Sequence, residues 1–256
     1  KKYKITTLYD IHVNLNAKMV SYAGYLMPVN YTKGIQFEYD AVRKKVGMFD
    51  VSHMGQIIVT GKNALDYLQH LTVNDVSLIS NGEAQYNAIC NNLGGIKDDI
   101  IIYKINEKYI LIVNASNYKK ICSWMLNQKK YKCDISCESE KFSLIALQGP
   151  KSRKLLSKLI NQKINLNFYK HKEVEFNKCK ILISRTGYTG ELGFEILGDN
   201  KIITVIWKKL YNLGVVPCGL AVRDILRMEM KYCLYGNDID EDTTPLEAGL
   251  NWIVKL

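Results

Sequence analysis

The sequence lacks the patterns that mark metal sites, membrane spans and nucleotide-phosphate loops. Its seven cysteines stand at irregular spacing without a Cys-x-x-Cys pair, and its four histidines show no metal-binding spacing. No apolar run approaches the roughly 20 residues that a membrane-spanning helix needs. The Walker motif, in which Gly-Lys-Ser or Gly-Lys-Thr follows four residues after a glycine, is absent from the sequence. These absences predict a metal-free protein outside the membrane whose cysteines are reduced thiols.

The size and charge of the chain limit its architecture and its partners. With 256 residues, of which 47% are hydrophobic, it can form one large domain or two intimate ones with a substantial core. The net charge of +10 favours anionic partners, but the lysines are scattered rather than gathered in a basic tract, which disfavours nucleic acid. Lys1–Lys4 offers neither an initiator Met nor a signal-like apolar segment, so we expect the chain to begin inside a longer or processed protein.

Apolar periodicity predicts strands in hairpins separated by single helices, which is typical of an α+β fold. We expect ferredoxin-like α/β sandwich units with antiparallel sheets. The strand at 84–90 should pair with the strand at 99–105, and the final segment, 245–256, carries a strand pattern. The other predicted strands are 56–60, 109–114, 142–147, 174–176, 180–184 and 194–197, and the helices are 37–46, 64–70, 117–128, 151–159, 202–210 and 220–230.

The segment Asn91–Tyr103 carries the most informative local pattern. A Gly94-Gly95 turn is followed by two adjacent carboxylates, Asp98 and Asp99, at the start of a strand rich in β-branched residues. Successive strand residues point to opposite faces, so one carboxylate can lie near the core while the other faces outward. Such a carboxylate suits acid–base or electrostatic chemistry, but from this segment alone the favoured interpretation is a turn whose aspartates cap backbone donors.

A second glycine-punctuated segment, Arg185–Glu195, leads into a strand rather than a helix, so it is not a dinucleotide-binding turn. Its glycines favour either a tight hairpin or close approach to a flat ligand with Tyr188 as a stacking wall. A carboxylate at Glu195 can accept two parallel hydrogen bonds from an amidine-like edge. Arg223 can hold Glu195 in position, contact an oxygen of a ligand, or form an ion pair with a neighbouring acidic residue.

A catalytic triad is not expected from Asp50, Ser52 and His53. These residues are close in sequence, whereas triads are assembled from distant segments, and no nucleophile elbow is present.

Six segments together resemble those of one family and occur in its order along nearly the whole chain. The family is that of the aminomethyltransferases, the T proteins of the glycine cleavage system. The segments are Ala23–Pro28, Gly47–Gly55, Gly94–Asp99, Gln148–Pro150, Arg185–Glu191 and Leu234–Asp238. The resemblance implies the folate-binding fold of that family, with tetrahydrofolate as co-substrate and no metal.

The resemblance also implies an activity. The enzyme would transfer the methylene carbon of an aminomethyl group, carried on the dihydrolipoyl arm of the H protein, to tetrahydrofolate. Products would be 5,10-methylenetetrahydrofolate and ammonia, and the location would be a bacterial cytoplasm or a mitochondrial matrix. The family's catalytic acidic residue matches Asp99, which recasts Asp98 as a structural neighbour and the glycines as room for folate. The family's folate-contacting residues match Met54, Tyr86, Ile112, Asn114, Tyr188, Glu195 and Arg223, with a further aromatic contact at Tyr169 or at Phe168, which lacks the hydroxyl.

The resemblance further implies how the chain is divided. We expect one folate-binding region, 1–256, made of intertwined subdomains: about 1–50 with 140–235, and about 51–139 with 236–256. Family members continue into a C-terminal β-barrel that contributes a folate-contacting arginine, and we expect it after residue 256. The same fold also serves folate-dependent demethylases and non-catalytic folate-binding modules, which remain alternatives. An iron–sulfur assembly factor is disfavoured because Thr186–Glu191 has no cysteine.

Overall fold

A computed structural model describes residues 3–128 and 131–255 of the chain. The strands are β1 (Lys4–Ile5), β2 (Lys18–Tyr22), β3 (Tyr25–Asn30), β4 (Gly47–Asp50), β5 (Gly55–Thr60), β6 (Ala84–Cys90), β7 (Ile96–Ile105), β8 (Lys108–Val113), β9 (Asp134–Cys137), β10 (Phe142–Gln148), β11 (His171–Phe176), β12 (Cys179–Ser184), β13 (Gly193–Asp199) and β14 (Val216–Cys218). The α-helices are α1 (Tyr9–Asn14), α2 (Ile35–Lys44), α3 (Ala64–Leu71), α4 (Tyr118–Asn127), α5 (Ser152–Leu159), α6 (Asn200–Asn212) and α7 (Leu220–Glu229). Two 3₁₀ helices cover Val76–Leu78 and Asn251–Ile253.

The chain divides into two compact units, each built from two separate segments. The first unit comprises Lys1–His53 and Glu140–Tyr232, and the second comprises Met54–Ser139 and Cys233–Leu256.

In the first unit, a six-stranded sheet has the order β11-β12-β13-β10-β4-β14. All neighbours are antiparallel except β14 and β4. The succession β10-α5-β12-β13-α6-β14 is the ferredoxin-like alternation, with β4 inserted between β10 and β14. Helix α6 contributes the fully buried Trp207 to the core beneath this sheet. A small sheet of order β1-β3-β2 belongs to the same unit.

In the second unit, a five-stranded antiparallel sheet has the order β6-β7-β8-β5-β9. Strands β5, β7, β8 and β9 with helices α3 and α4 reproduce the ferredoxin-like order, and β6 extends the sheet at its edge. Buried apolar residues of α3 and α4 pack on one face of this sheet. The α+β class with antiparallel sheets is thus confirmed, as is the pairing of β6 with β7.

The predicted strand at 245–256 is wrong for the described residues, which end at Lys255. Backbone N–H groups there bond within the segment, for example Ala248 to Thr244 and Leu250 to Pro245. The buried Leu250 and Ile253 are three residues apart, which is a helical spacing. Strand β4 was missed for a different reason. All four of its residues are buried, so apolar and polar residues do not alternate along it.

The expectation of seven reduced thiols is wrong for two of them. Cys122 in α4 and Cys137 in β9 form a disulfide within the second unit. Among the described residues, the other five cysteines form no disulfide. Within the described residues, no three His, Cys, Asp or Glu side chains are grouped as metal ligands, and no helix is long and apolar enough to cross a membrane.

Candidate active site

The Gly94-Gly95 turn leads into β7 in a conformation that depends on both glycines. Gly94 has a φ of +88°, and a Cβ on Gly95 would lie 1.7 Å from the backbone oxygen of Glu241. The carbonyl of Gly95 accepts a hydrogen bond from the backbone N–H of Asn91 at 2.8 Å, which closes the turn. Gly95 is therefore required by a neighbouring backbone segment of the second unit, and room for folate beside the two glycines stays a prediction.

The alternation of β7 separates the two carboxylates as expected. Asp98 is 0% exposed and shares a face with the buried Ile100 and Ile102, whereas Asp99 is half-buried on the opposite face. The Asp99 face also carries Tyr86 and Ile112, because both pair directly with Ile101 on neighbouring strands.

Asp99 receives one hydrogen bond on each carboxylate oxygen. The hydroxyl of Tyr86 donates to Oδ2 at 3.0 Å, and the side-chain amide of Asn114 donates to Oδ1 at 2.7 Å. Burial raises the pKa of Asp99, while these two donors act to lower it. The two bonds fix the orientation of the carboxylate at this end of the sheet.

Asp98 receives three hydrogen bonds from the turn between β8 and α4. Its Oδ2 accepts from the backbone N–H of Asn114 at 3.0 Å, and its Oδ1 accepts from the side-chain amides of Asn114 at 2.9 Å and Asn117 at 2.6 Å. Burial and then the charge of Asp99 raise the pKa of Asp98 to about 8, against the effect of these donors.

Met54 and Gln56 lie at the start of β5 in the same unit. Gln56 pairs with Ile112, so it lies in the row that also contains Ile101 and Tyr86. Its Nε2 donates to the carbonyl of Met54 at 2.6 Å, while its buried Oε1 finds no hydrogen-bond partner among the described residues. Sequence reasoning missed Gln56, because the sequence does not show that a glutamine within a strand is buried.

The second unit therefore brings together the residues predicted before β9. Asp99, Tyr86 and Asn114 are joined by hydrogen bonds, Ile112 lies on the same face, and Met54 contacts the neighbouring glutamine. The ring of Tyr86 also stacks on Trp252 at 5.7 Å between centroids, with an interplanar angle of 22°.

The first unit carries the other predicted residues. The guanidinium of Arg223 lies 4.5 Å from the ring centroid of Tyr188, whose ring stacks on Tyr232 at 5.8 Å. Glu195, within β13, accepts a short hydrogen bond from the hydroxyl of Thr186. The acidic neighbours of Arg223 are engaged elsewhere, since Asp224 pairs with Arg227 and Glu229 pairs with Arg43.

His53 is a buried residue of the first unit that sequence reasoning did not select. Its Nδ1 has no hydrogen-bond partner among the described residues, and the rings of Tyr22 and Tyr25 meet it edge-on. Burial, followed by the positive charge of Arg223, lowers its pKa to about 4. His53 is therefore neutral near pH 7.

Among the described side chains, Asp50 forms no hydrogen bond with His53. Asp50 instead accepts hydrogen bonds from His12 at 3.0 Å, Thr6 at 2.7 Å and the backbone N–H of Ser52 at 2.9 Å.

The aromatic pair Phe168 and Tyr169 adopts two different environments. Phe168 is 60% exposed, while Tyr169 is half-buried with a φ of +59°, an uncommon backbone conformation for a bulky residue. Phe168, Arg185 and Tyr232 line a cavity of about 160 Å³ with glycines of the Arg185–Glu195 segment. Which of the two aromatic residues contacts folate stays a prediction.

Comparison with known proteins gives a consistent result. Residues 8–256 match the family described as the GCVT N-terminal domain. An aminomethyltransferase of Thermosipho melanesiensis is 48% identical over 98% of this chain and 70% of the relative, and one of Flavobacterium psychrophilum is 47% identical over 98% and 72%. The crystal structure of the glycine cleavage system aminomethyltransferase T from Bartonella henselae superposes with a TM-score of 0.93 at 34% identity, covering 99% of this chain and 70% of that one.

Proposed function

This chain belongs to the aminomethyltransferase family of the glycine cleavage system, and we propose the reaction and the residues by which it acts. The substrate is an aminomethyl group on the dihydrolipoyl arm of an H protein. Its methylene carbon passes to tetrahydrofolate, and ammonia and the dihydrolipoyl H protein are released. Because the relatives named above are bacterial, a bacterial cytoplasm is favoured over a mitochondrial matrix as the location.

The observation that carries the proposal is the anchored carboxylate of Asp99. The hydroxyl of Tyr86 and the amide of Asn114 hold both of its oxygens, so the carboxylate is oriented before any substrate binds. Folate supplies a nucleophilic ring nitrogen, and the aminomethyl group supplies an electrophilic carbon. A fixed negative charge beside the reacting atoms stabilises the positive charge that develops as ammonia leaves. Asp99 is accordingly the proposed catalytic residue.

Residues of the first unit fit the recognition of a flat heterocycle with an amidine-like edge. The carboxylate of Glu195, held by Thr186, can accept two parallel N–H bonds from such an edge. Tyr188 and Arg223 offer flat surfaces for stacking. The unpartnered Nδ1 of His53 is a polar atom whose burial is costly without a partner, which supports the presence of a polar ligand. In the second unit, the unpartnered Oε1 of Gln56 supports the same conclusion.

The proposal divides the site residues into two roles. Asp99 acts on the reacting atoms. Folate is bound by the remaining residues, namely Met54, Tyr86, Ile112, Asn114, Tyr169 or Phe168, Tyr188, Glu195 and Arg223. Because the relatives extend well beyond the matched region, the C-terminal barrel and its arginine belong to the proposal as the remaining part of the folate site.

The test is turnover of chemically aminomethylated H protein with tetrahydrofolate, followed as 5,10-methylenetetrahydrofolate and ammonia. We expect Asp99→Asn to lower kcat by about 100-fold or more, the scale of losing one oriented electrostatic contact, while the Kd for folate changes little. Asp134→Asn, an exposed carboxylate in the same sheet, is the matched control.

The alternative functions give different results in the same assay. Faster turnover with simple N-methylated amines than with H protein would identify a demethylase. Folate binding without turnover of either donor would identify a binding module. Near-full activity of Asp99→Asn would refute the role given to Asp99.

A further inference from the structure

One side-chain amide joins the two adjacent carboxylates of β7. The Nδ2 atom of Asn114 lies 2.9 Å from Oδ1 of Asp98 and 2.7 Å from Oδ1 of Asp99. We propose that Asp98 is a positioning residue that orients Asp99 through the side chain of Asn114. The inference rests on the proposed function, because it assumes that Asp99 acts on the reacting atoms.

Asp98 fixes Asn114 at two points. Its Oδ2 accepts from the backbone N–H of Asn114 at 3.0 Å and its Oδ1 accepts from the side-chain amide of the same residue. The backbone and the side chain of Asn114 are thus held by one carboxylate, which leaves the amide a single orientation. The same Nδ2 atom also donates to Asp99, whose backbone carbonyl lies at 3.1 Å and whose Oδ1 lies at 2.7 Å.

Asp98 is itself anchored from a third element. The side-chain amide of Asn117, the residue immediately before α4, donates to Asp98 at 2.6 Å. Asn117 also bonds through its backbone N–H to the carbonyl of Asn114 at 3.0 Å. The position of Asp98 is therefore determined by β7, by the end of β8 and by the start of α4 together.

Burial limits Asp98 to an indirect role. The residue has no exposed surface and lies on the opposite face of β7 from Asp99. The hydrogen-bonded connection from Asp98 to the carboxylate of Asp99 runs through the side chain of Asn114. A residue that only stabilised the fold would instead affect all properties of the enzyme together.

The test compares full-length wild-type protein with Asp98→Asn. Both proteins are assayed at pH 9, above the pKa of about 8 of Asp98, so that the wild-type side chain is a carboxylate. The variant keeps the size of the side chain but turns one acceptor into an amide donor facing other N–H groups, so the orientation of Asn114 is lost. We expect kcat to fall about 10- to 100-fold, the cost of a small misplacement of a catalytic group, while KM for tetrahydrofolate rises by a smaller factor because Asn114 is one of several proposed folate contacts. Asp134→Asn is again the control.

A double-mutant cycle separates positioning from a general effect. If Asp98 acts through Asp99, adding Asp98→Asn to Asp99→Asn should lower kcat by less than about twofold more. Losses that multiply in the double variant would overturn the proposal. Should Asp98→Asn fail to fold, Asn117→Ala removes a single donor and should give a loss of about threefold with the same non-multiplicative behaviour.

A readout that does not depend on turnover distinguishes this inference from the proposed function. In a crystal structure of Asp98→Asn, the Asn114 Nδ2 to Asp99 Oδ1 distance should exceed 3.5 Å, compared with 2.7 Å in the wild type. An unchanged distance would overturn the inference whatever the wild-type activity is. Absence of wild-type turnover together with a displaced Asn114 would overturn the proposed function alone.

Discussion

The buried carboxyl of Asp98 should make the stability of the protein fall as the pH rises. Its pKa is raised from 3.8 to about 8, mainly by burial and then by the charge of Asp99. Between about pH 4 and pH 8, Asp98 keeps a proton in the native state that it has released in the unfolded state. The stabilisation is therefore complete below pH 4 and is lost as the pH rises towards 8.

The perturbation that isolates this effect is Asp98→Asn, which keeps the shape but cannot ionise. Each unit of pKa difference corresponds to about 1.4 kcal/mol, so wild-type stability relative to the variant should fall by about 1.4 kcal/mol per pH unit. Between pH 5 and pH 7 the relative change is about 2.7 kcal/mol, a large part of the 5–15 kcal/mol that holds a typical domain together.

The assay is urea-induced unfolding of both proteins at constant ionic strength at pH 5, 6 and 7. The measured quantity is the difference between their free energies of unfolding, which removes the contributions of other titrating groups common to both. The exposed Asp134→Asn variant serves as a control for removing a carboxylate from the same sheet. A difference that is constant or that rises with pH would refute the burial argument.

Three further predictions concern the turn, the disulfide and the aromatic stack. Gly95→Ala should lower the free energy of unfolding by about 3 kcal/mol or more, because its Cβ would clash with the backbone of Glu241. Gly94→Ala, which is strained only by its positive φ, should lower it by about 1–2 kcal/mol. Urea titrations of the two variants measure both changes. Reduction of the Cys122–Cys137 disulfide, which spans 15 residues, should lower stability by about 3 kcal/mol in thermal unfolding, and Cys122→Ser should remove this sensitivity to reductant. Arg223→Lys should raise the Kd for folate about tenfold in calorimetry, because an ammonium group cannot stack as the planar guanidinium does, and an unchanged Kd would contradict the stacking role.

The local sequence predicts the hairpin around the Gly94-Gly95 turn well. Strand β6 has the predicted bounds, and β7 begins only three residues earlier than expected, at Ile96. These strands are long and their apolar residues recur at regular spacing, so that spacing alone identifies them. The prediction for the last segment failed because a short apolar run does not distinguish a strand from a helical turn, and local hydrogen bonds decide between the two.

The cysteines show a different limit of sequence reasoning. Cys122 and Cys137 are brought together because α4 packs beside β9, which no spacing rule states. In the same way, the buried polar atoms of His53 and Gln56 are recognisable only when their surroundings are known.

The sequence by itself determined that Asp98 and Asp99 point to opposite faces of one strand, because the period of a strand is two residues. Its motifs also identified the family. Only the tertiary structure decided which carboxylate is buried and what each one accepts. Asn114 lies 15 and 16 residues along the chain from the two aspartates, and the antiparallel pairing of β7 with β8 is what brings its amide to both. Burial and hydrogen-bond donors set the orientation and the pKa of a carboxylate, and both are properties of the packed fold.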